Sequence, residues 1–374
     1  MQTSPTAQAS PGRAGLAGAD RAPLPELPAA APATDADLRE LYRLMTAVRQ
    51  LDLAAVAWQR QGILPAYAPE LGQEAAQVAS ALALDLSRDF AFPTYRELGV
   101  ARAAGVDMVE YMSTHLATWH GGFWDAAATH VAPIQAVVAG SVLHAVGWAH
   151  GQTLQARAAS AQSSPEASAL GVAITYLGDG ASSQGDVHEA MNFAGVFRAP
   201  VVFFVQNNGW AISVPTERQV AGGSVAARGA GYSIPALQVD GNDAAAVLEA
   251  TRRAVAHARA GHGPVIVEAM TYRRGPHATS DDPGRYRTLD EERTDGGADP
   301  LLRLRERLLG EGIADEAELE AADAAGAAEA EAVREGVLAL GPRPGAEMFD
   351  LVFTEPTDEL LRQKAAWREE SEHA

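Results

Sequence analysis

Residues 177–208, LGDGASSQGDVHEAMNFAGVFRAPVVFFVQNN, contain the pattern on which the fold turns. Just before them, the apolar run 172–177 (VAITYL) suits a strand buried on both faces. Gly178-Asp179-Gly180 breaks that run and sets a carboxylate on a tight turn at the strand's carboxyl end. Val187, Met191 and Ala194 then fall at helical spacing, and the β-rich run 201–205 delivers Gln206, Asn207 and Asn208. Strand, acidic turn, helix, strand and Asn pair together have the length of one βαβ crossover. Such a crossover returns both turns to the same sheet edge, so Asp179 and Asn208 are expected to converge. A carboxylate and an amide carbonyl meeting there are oxygen ligands suited to Mg2+, an ion usually held by one or two carboxylates plus phosphate oxygens. The flanking glycines allow backbone N–H groups to approach a diphosphate.

Two better-known glycine motifs fail at this spot. A dinucleotide fingerprint needs a third glycine where Ser183 stands. The run 180–185 has the glycine spacing of a phosphate loop, but Asp186-Val187 follows in place of Lys-Ser/Thr. A tight turn with an N-capping acid, plus an unrelated Asn208-Gly209 turn, would produce some of the same letters. The whole unit resembles the thiamine diphosphate signature, in which GDG is followed, here across positions 181–206, by NN.

Around this unit the chain reads as α/β. Leu38, Leu41, Met45, Val48 and Leu51 form one helical stripe behind the acidic start at Asp35. Residues 73–86 and 97–119 read as helices separated by FAFPTYR at 90–96. Further on, 237–240 is a short strand, Asn242-Asp243 cap a helix reaching about Gly261, and 265–270 is another strand. The pattern predicts a mostly parallel sheet with helices on both faces. Residues 157–170 read as a linker and 316–340, dense in Ala and Glu, as a helical C-terminal tail. Positions 1–33, rich in Ala, Pro, Gly and Ser, read as a disordered N-terminal arm, leaving 34–374 as a single domain.

Composition narrows the function. The 374 residues suffice for a substantial core, and 47% hydrophobic content fits a globular enzyme. No run approaches the roughly 18 apolar residues of a membrane span, so no membrane partner is expected. A net charge of −19, from 29 basic and 48 acidic residues, argues against nucleic acid. The absence of cysteine removes disulfides, thiolate metal sites and cysteine nucleophiles. The arm lacks the continuous apolar core of a secretory signal, and a cytoplasmic location is expected.

Several ordered stretches identify a relationship: QGILPAYAPELGQEAAQVAS, FPTYREL, the GDG-to-NN unit, NNGWAISVPTERQ, VDGND and EAMTYRRGPHATSDDPGRYR. With them the chain resembles, from about residue 38 to its C-terminal region, the alpha subunit of the decarboxylating component of 2-oxo acid dehydrogenase complexes, the pyruvate and branched-chain group. The resemblance implies a thiamine-diphosphate-binding fold. It implies that Asp179, Asn208 and the Trp210 backbone carbonyl hold Mg2+, with Gly178, Gly180, Ala181 and Gln206 lying against the diphosphate. Tyr95 and Arg96 would reach the phosphates, arginine being suited to bidentate phosphate contact. Ala132 and Ile134 would sit near the pyrimidine ring. His277 is the implied catalytic side chain, facing the cofactor and assisting acyl transfer to a lipoyl group, with His120 a second candidate. Asp281, Tyr286 and Arg287 match positions that order the loop carrying His277. Where phosphorylation-regulated relatives carry serine after that histidine, this chain has Ala278.

The same resemblance implies partners. In this group a beta subunit supplies the glutamate beside the pyrimidine, and no second thiamine-type domain is present in this chain to replace it. An α2β2 heterotetramer is therefore expected, working with a lipoyl-bearing acyltransferase component on a small 2-oxo acid. Pyruvate is the first expectation; a branched-chain 2-oxo acid and acetoin are the alternatives. A cofactor-free scaffold subunit would be expected to lack a metal ligand or a phosphate contact, whereas Asp179, Asn208, Tyr95, Arg96 and His277 are all present.

Overall fold

The computed structural model describes residues 24–116, 121–122, 124–161, 170–291 and 299–372. The strands are β1 (Phe90–Phe92), β2 (Ala173–Gly178), β3 (Val201–Asn207), β4 (Trp210–Ala211), β5 (Val214–Pro215), β6 (Ala236–Asp240) and β7 (Val265–Met270). Five of them form one sheet in the order β1-β2-β3-β7-β6, parallel throughout, while β4 and β5 pair as a separate antiparallel ribbon.

Strand alternation sorts side chains into two cores. Ile174 and Tyr176 of β2, with Val202 and Phe204 of β3, face the helices Asp35–Arg60, Glu74–Leu82 and Ala244–Arg259. Ala173, Leu177, Val201, Phe203 and Val205 face the opposite way, toward the helices Val142–Ala161 and Gly185–Phe197. The two-sided parallel sheet expected from the continuous apolar runs is therefore present. Each large apolar side chain so buried contributes roughly 1.5–3 kcal/mol.

The long helices begin and end near the expected residues. Thr34 and Asp37 close a capping box on the Asp35–Arg60 helix, whose Leu38, Leu41, Met45, Val48 and Leu51 are buried. Asp243 caps Ala244–Arg259, and the Ala/Glu-rich segment forms the helix Glu316–Ala339. That helix is bonded back to the first one, where Tyr42 and Thr46 hydroxyls both donate to Asp323 Oδ1.

Three local expectations differ from the structure. Within 97–116 of the helix expected over 97–119 there are two short helices, Leu98–Ala103 and Met108–Ser113, and 117–119 lie outside the described residues. Gly105, at φ +80°, ends the first, and the Asp107 carboxylate caps the second by accepting from the Val109 and Glu110 amides. Phe90–Phe92 is a strand, not merely a spacer; three residues are too few to show a period. The stretch read as a linker from 157 continues the Val142–Ala161 helix to Ala161, in keeping with its alanines, and 162–169 lie outside the described residues.

Positions 1–23 of the N-terminal arm also lie outside the described residues. Residues 24–33 have no regular structure yet are tied to the Ala244–Arg259 helix: Ala33 N donates to Glu249 Oε1 at 3.0 Å and Arg253 Nε to Pro28 O at 3.0 Å. No described helix is long and apolar enough to cross a membrane.

Candidate active site

Parallel α/β sheets bind ligands beyond the carboxyl ends of their strands. At that edge β1 delivers Thr94-Tyr95-Arg96-Glu97, β2 delivers Asp179-Gly180-Ala181, β3 delivers Gln206 and Asn208, and the segment after β7 delivers Arg273 and His277. All of them line one cavity of about 290 Å³. The sheet register makes the convergence obligatory, because Gly178 pairs with Gln206 and Gln206 with Ala269.

The acidic turn is held from within. Ser182 donates to the Asp179 carbonyl from its amide at 3.2 Å and from its hydroxyl at 2.6 Å. Asp179 Oδ2 accepts from Thr216 Oγ1 at 2.6 Å. Burial pushes the Asp179 carboxyl above its usual range, and the Thr216 hydroxyl and nearby backbone amides only partly oppose this. A cation at this carboxylate would remove the desolvation cost. Gly180 is needed for close approach: a Cβ there would stand 2.7 Å from Ala211 Cβ, in the β4–β5 ribbon.

The two asparagines divide their work. Asn207 Nδ2 donates to the buried Glu268 at 2.9 Å, while its Oδ1 accepts from Gly209 N and Thr216 Oγ1, both at 3.2 Å. Asn208 instead borders the cavity; its Nδ2 donates to Gln73 Oε1 at 2.9 Å and its Oδ1 accepts from Trp210 N at 3.2 Å. Gln206 Nε2 donates to Glu97 Oε1 at 2.7 Å, leaving Gln206 Oε1 buried without a partner.

The β4–β5 ribbon turns through Ile212-Ser213, with Ile212 at φ +57°. A two-residue turn of this hand favours glycine at that position, and a β-branched residue there is strained. Arg273, only 1% exposed, clamps the ribbon by donating to Trp210 O at 3.3 Å and Ile212 O at 2.7 Å. The Ile212 side chain is half exposed, so little packing is lost on removing it. Ile212→Gly is expected to stabilise the protein by about 1 kcal/mol, relief of roughly 1–3 kcal/mol of strain less the added chain entropy. A lowered thermal midpoint would contradict this.

Arg96 and His277 are one unit. Arg96 Nη2 donates to His277 O at 2.6 Å and lies 3.2 Å from His277 Nδ1, and Nη1 donates to Pro69 O. The Tyr95 ring lies 5.5 Å from the guanidinium carbon. Because Arg96 can only donate, Nδ1 must accept, which assigns the imidazole proton to Nε2. Burial, then the Arg96 and Arg273 charges, push the His277 pKa down to about 4, so the ring is neutral at pH 7. The loop is pinned on both sides. His277 N donates to Asp281 Oδ2 at 2.8 Å, and Arg287 donates to the Arg273 and Gly275 carbonyls at 2.7 and 2.9 Å. The Tyr286 hydroxyl also reaches Asp281.

Ala132 and Ile134 lie outside the cavity lining, packed against the two cores; Val138 and Ala139 border it instead. His120 lies outside the described residues. Thr216, Gln73, Glu97 and Arg273 were not singled out from sequence, although each falls inside a stretch that carried the family resemblance. Their neighbourhood was the signal available. Among the described residues there is no group of three or more histidine, aspartate or glutamate side chains that could hold a metal. Oxygen from Asp179, Asn208 and the Trp210 carbonyl is the donor set at hand, and its chemistry fits a hard cation such as Mg2+.

Residues 42–337 match the protein family described as dehydrogenase E1 component. The chain is 42% identical over 333 residues to the 3-methyl-2-oxobutanoate dehydrogenase subunit alpha of Mycobacterium tuberculosis, covering 89% of this chain and 87% of that one. It is 40% identical over 284 residues to the pyruvate dehydrogenase E1 component subunit alpha of Staphylococcus epidermidis and of Staphylococcus aureus, covering 76% of this chain and 73% of each of those.

Proposed function

From the membership of this chain in the dehydrogenase E1 component family, whose enzymes depend on thiamine diphosphate, we propose that it is the alpha subunit of a decarboxylating 2-oxo acid dehydrogenase. The observation that carries the reading is the meeting of Asp179, Asn208, Arg96 and His277 on one cavity at the carboxyl edge of the sheet.

Bound there, thiamine diphosphate supplies the electron sink that decarboxylation of a 2-oxo acid requires. The protein's part is binding, orientation and proton placement. Asp179, Asn208 and the Trp210 carbonyl would hold Mg2+, and Gly178, Gly180, Ala181 and Gln206 would lie against the diphosphate. Arg96 and Tyr95 sit where a phosphate oxygen would meet a guanidinium whose present bonds go only to uncharged partners. Neutral His277, with its proton on Nε2, would donate to the reacting group during acyl transfer to a lipoyl arm.

The proposal includes a beta subunit in an α2β2 assembly and a lipoyl-bearing acyltransferase. The cavity rim supports a covering partner: Val138 and Ile212 line it and are 45% and 54% exposed. Purified alone, the chain is expected to show no oxo-acid decarboxylation; co-expressed with its beta subunit, it should turn over with Mg2+ and thiamine diphosphate. Measurable decarboxylation by the isolated chain would overturn the two-subunit reading.

Pyruvate is the proposed substrate. The higher identity and longer coverage of the M. tuberculosis relative favour 3-methyl-2-oxobutanoate as a second reading. The ratio of kcat/KM for the two acids in the co-expressed complex decides between them. Pockets that differ by a methylene or two separate substrates by only about 1–3 kcal/mol.

A further inference from the structure

We infer that Gln73 is a positioning residue that fixes which atom of Asn208 faces the cation. The inference rests on the Mg2+ and diphosphate reading of the cavity. Gln73 stands at the N-terminus of the Glu74–Leu82 helix, yet its side chain makes no capping bond. Among the described residues its one side-chain hydrogen bond is from Asn208 Nδ2 to Gln73 Oε1 at 2.9 Å. Gln73 is fully buried, and its Nε2 has no partner. Leaving such a donor unsatisfied costs about 1–3 kcal/mol, which the single bond to Asn208, worth about 0.5–1.5 kcal/mol net, does not clearly offset.

The arrangement is held from outside. Gly72, at φ +94°, lets the turn press against the segment after β7, where a Cβ would stand 2.6 Å from Tyr272 O. Thr271 Oγ1 donates to Gly72 O at 2.9 Å and Arg274 N to Leu71 O at 3.1 Å. The Asn208 amide has only one compatible orientation. Trp210 N donates to Oδ1, so reversing the amide would set two donors against each other. With Oε1 holding Nδ2, the oxygen stays on the side of Trp210 as a metal ligand. Without it, the 3.2 Å bond from Trp210 N alone holds the amide, and rotation about the terminal torsion can then turn N–H groups toward a cation.

The test uses the complex co-expressed with the beta subunit and freed of cofactor. Thiamine diphosphate binding is followed by calorimetry across a Mg2+ series. Gln73→Leu is expected to raise the Mg2+ concentration for half-saturation about tenfold or more, the scale seen when a group orienting a metal ligand is lost. Gln73→Glu keeps an acceptor for Nδ2 and is expected to restore the wild-type Mg2+ requirement. Asn208→Asp offers two equivalent oxygens, so adding Gln73→Leu there should raise it no further. An unchanged Mg2+ requirement in Gln73→Leu, an equal rise in both backgrounds, or failure of the glutamate to rescue overturns the role of Gln73. If Gln73→Leu does not assemble, the glutamate variant alone decides, since loss of Mg2+ response there also overturns it. Wild-type binding that needs no Mg2+ overturns instead the metal reading beneath it.

Discussion

Asp179→Ala is expected to remove Mg2+-dependent binding of thiamine diphosphate, with apparent affinity falling at least about a hundredfold, since even groups that merely support a ligand cost roughly 10–100-fold. The fold should survive. Asp179 is nearly fully buried, and burial raises its carboxyl above the usual range, so in the cofactor-free protein its negative charge is a net cost. Thr216 Oγ1, its present donor, already reaches Asn207 Oδ1 at 3.2 Å and keeps that acceptor after the substitution.

The sign of the pH dependence follows. A carboxyl raised in the folded state binds its proton more readily there than when unfolded. That contribution to stability is present at low pH and lost as pH rises from the unfolded value of 3.8 through the raised folded one. At neutral pH the cofactor-free alanine variant should therefore melt no lower than wild type. With Mg2+ and cofactor the order reverses, because ligand binding stabilises only the protein that can bind. Paired melting curves with and without ligand make the comparison. Undiminished cofactor affinity in the variant would refute the metal assignment.

The parts of this site legible in sequence were those carried by the chain's own local chemistry. Continuous apolar runs marked β2, β3 and β7, and the glycines around Asp179 marked a turn, so one crossover placed Asp179 and Asn208 together before any long-range contact was known. Position on an element, however, does not say which neighbour a side chain meets. Asn208 was placed at the site, but the letters do not say what its chemically identical neighbour Asn207 meets; strand pleating turns Asn207 to Glu268 while Asn208 borders the cavity. Thr216 and Arg273 were hidden for the same reason. Their partners lie 37 residues away for Thr216 with Asp179, and 63 for Arg273 with Trp210. The helix expected over 97–119 failed for a different reason. Its apolar spacing outweighed Gly105 and Asp107, which are a stop and a start signal only when read as a pair.

His277→Asn separates the two functions of the loop. Asparagine places an acceptor near the position of Nδ1, so the contact with Arg96 can persist, but it has nothing at the position of Nε2. Acyl transfer to the lipoyl group is expected to fall about 10²–10⁴-fold, the usual worth of a positioned proton donor. Cofactor affinity should change little, since Arg96 keeps its bond to the backbone carbonyl at 277. Stability offers an independent readout. The folded histidine has a pKa of about 4 against 6.5 for the free side chain, so between those values the unfolded chain binds a proton that the folded one refuses. Wild type therefore loses stability as pH falls from 6.5 toward about 4, whereas the asparagine variant lacks that contribution and should show a flatter acid limb. An anionic diphosphate in the cavity opposes the Arg96 and Arg273 charges and should raise the His277 pKa, so the wild-type acid limb should become shallower when cofactor is bound. Acyl transfer unimpaired by the substitution would remove His277 from the chemistry. A flattened acid limb alongside unimpaired transfer would leave it as a residue that the loop buries for structural reasons alone.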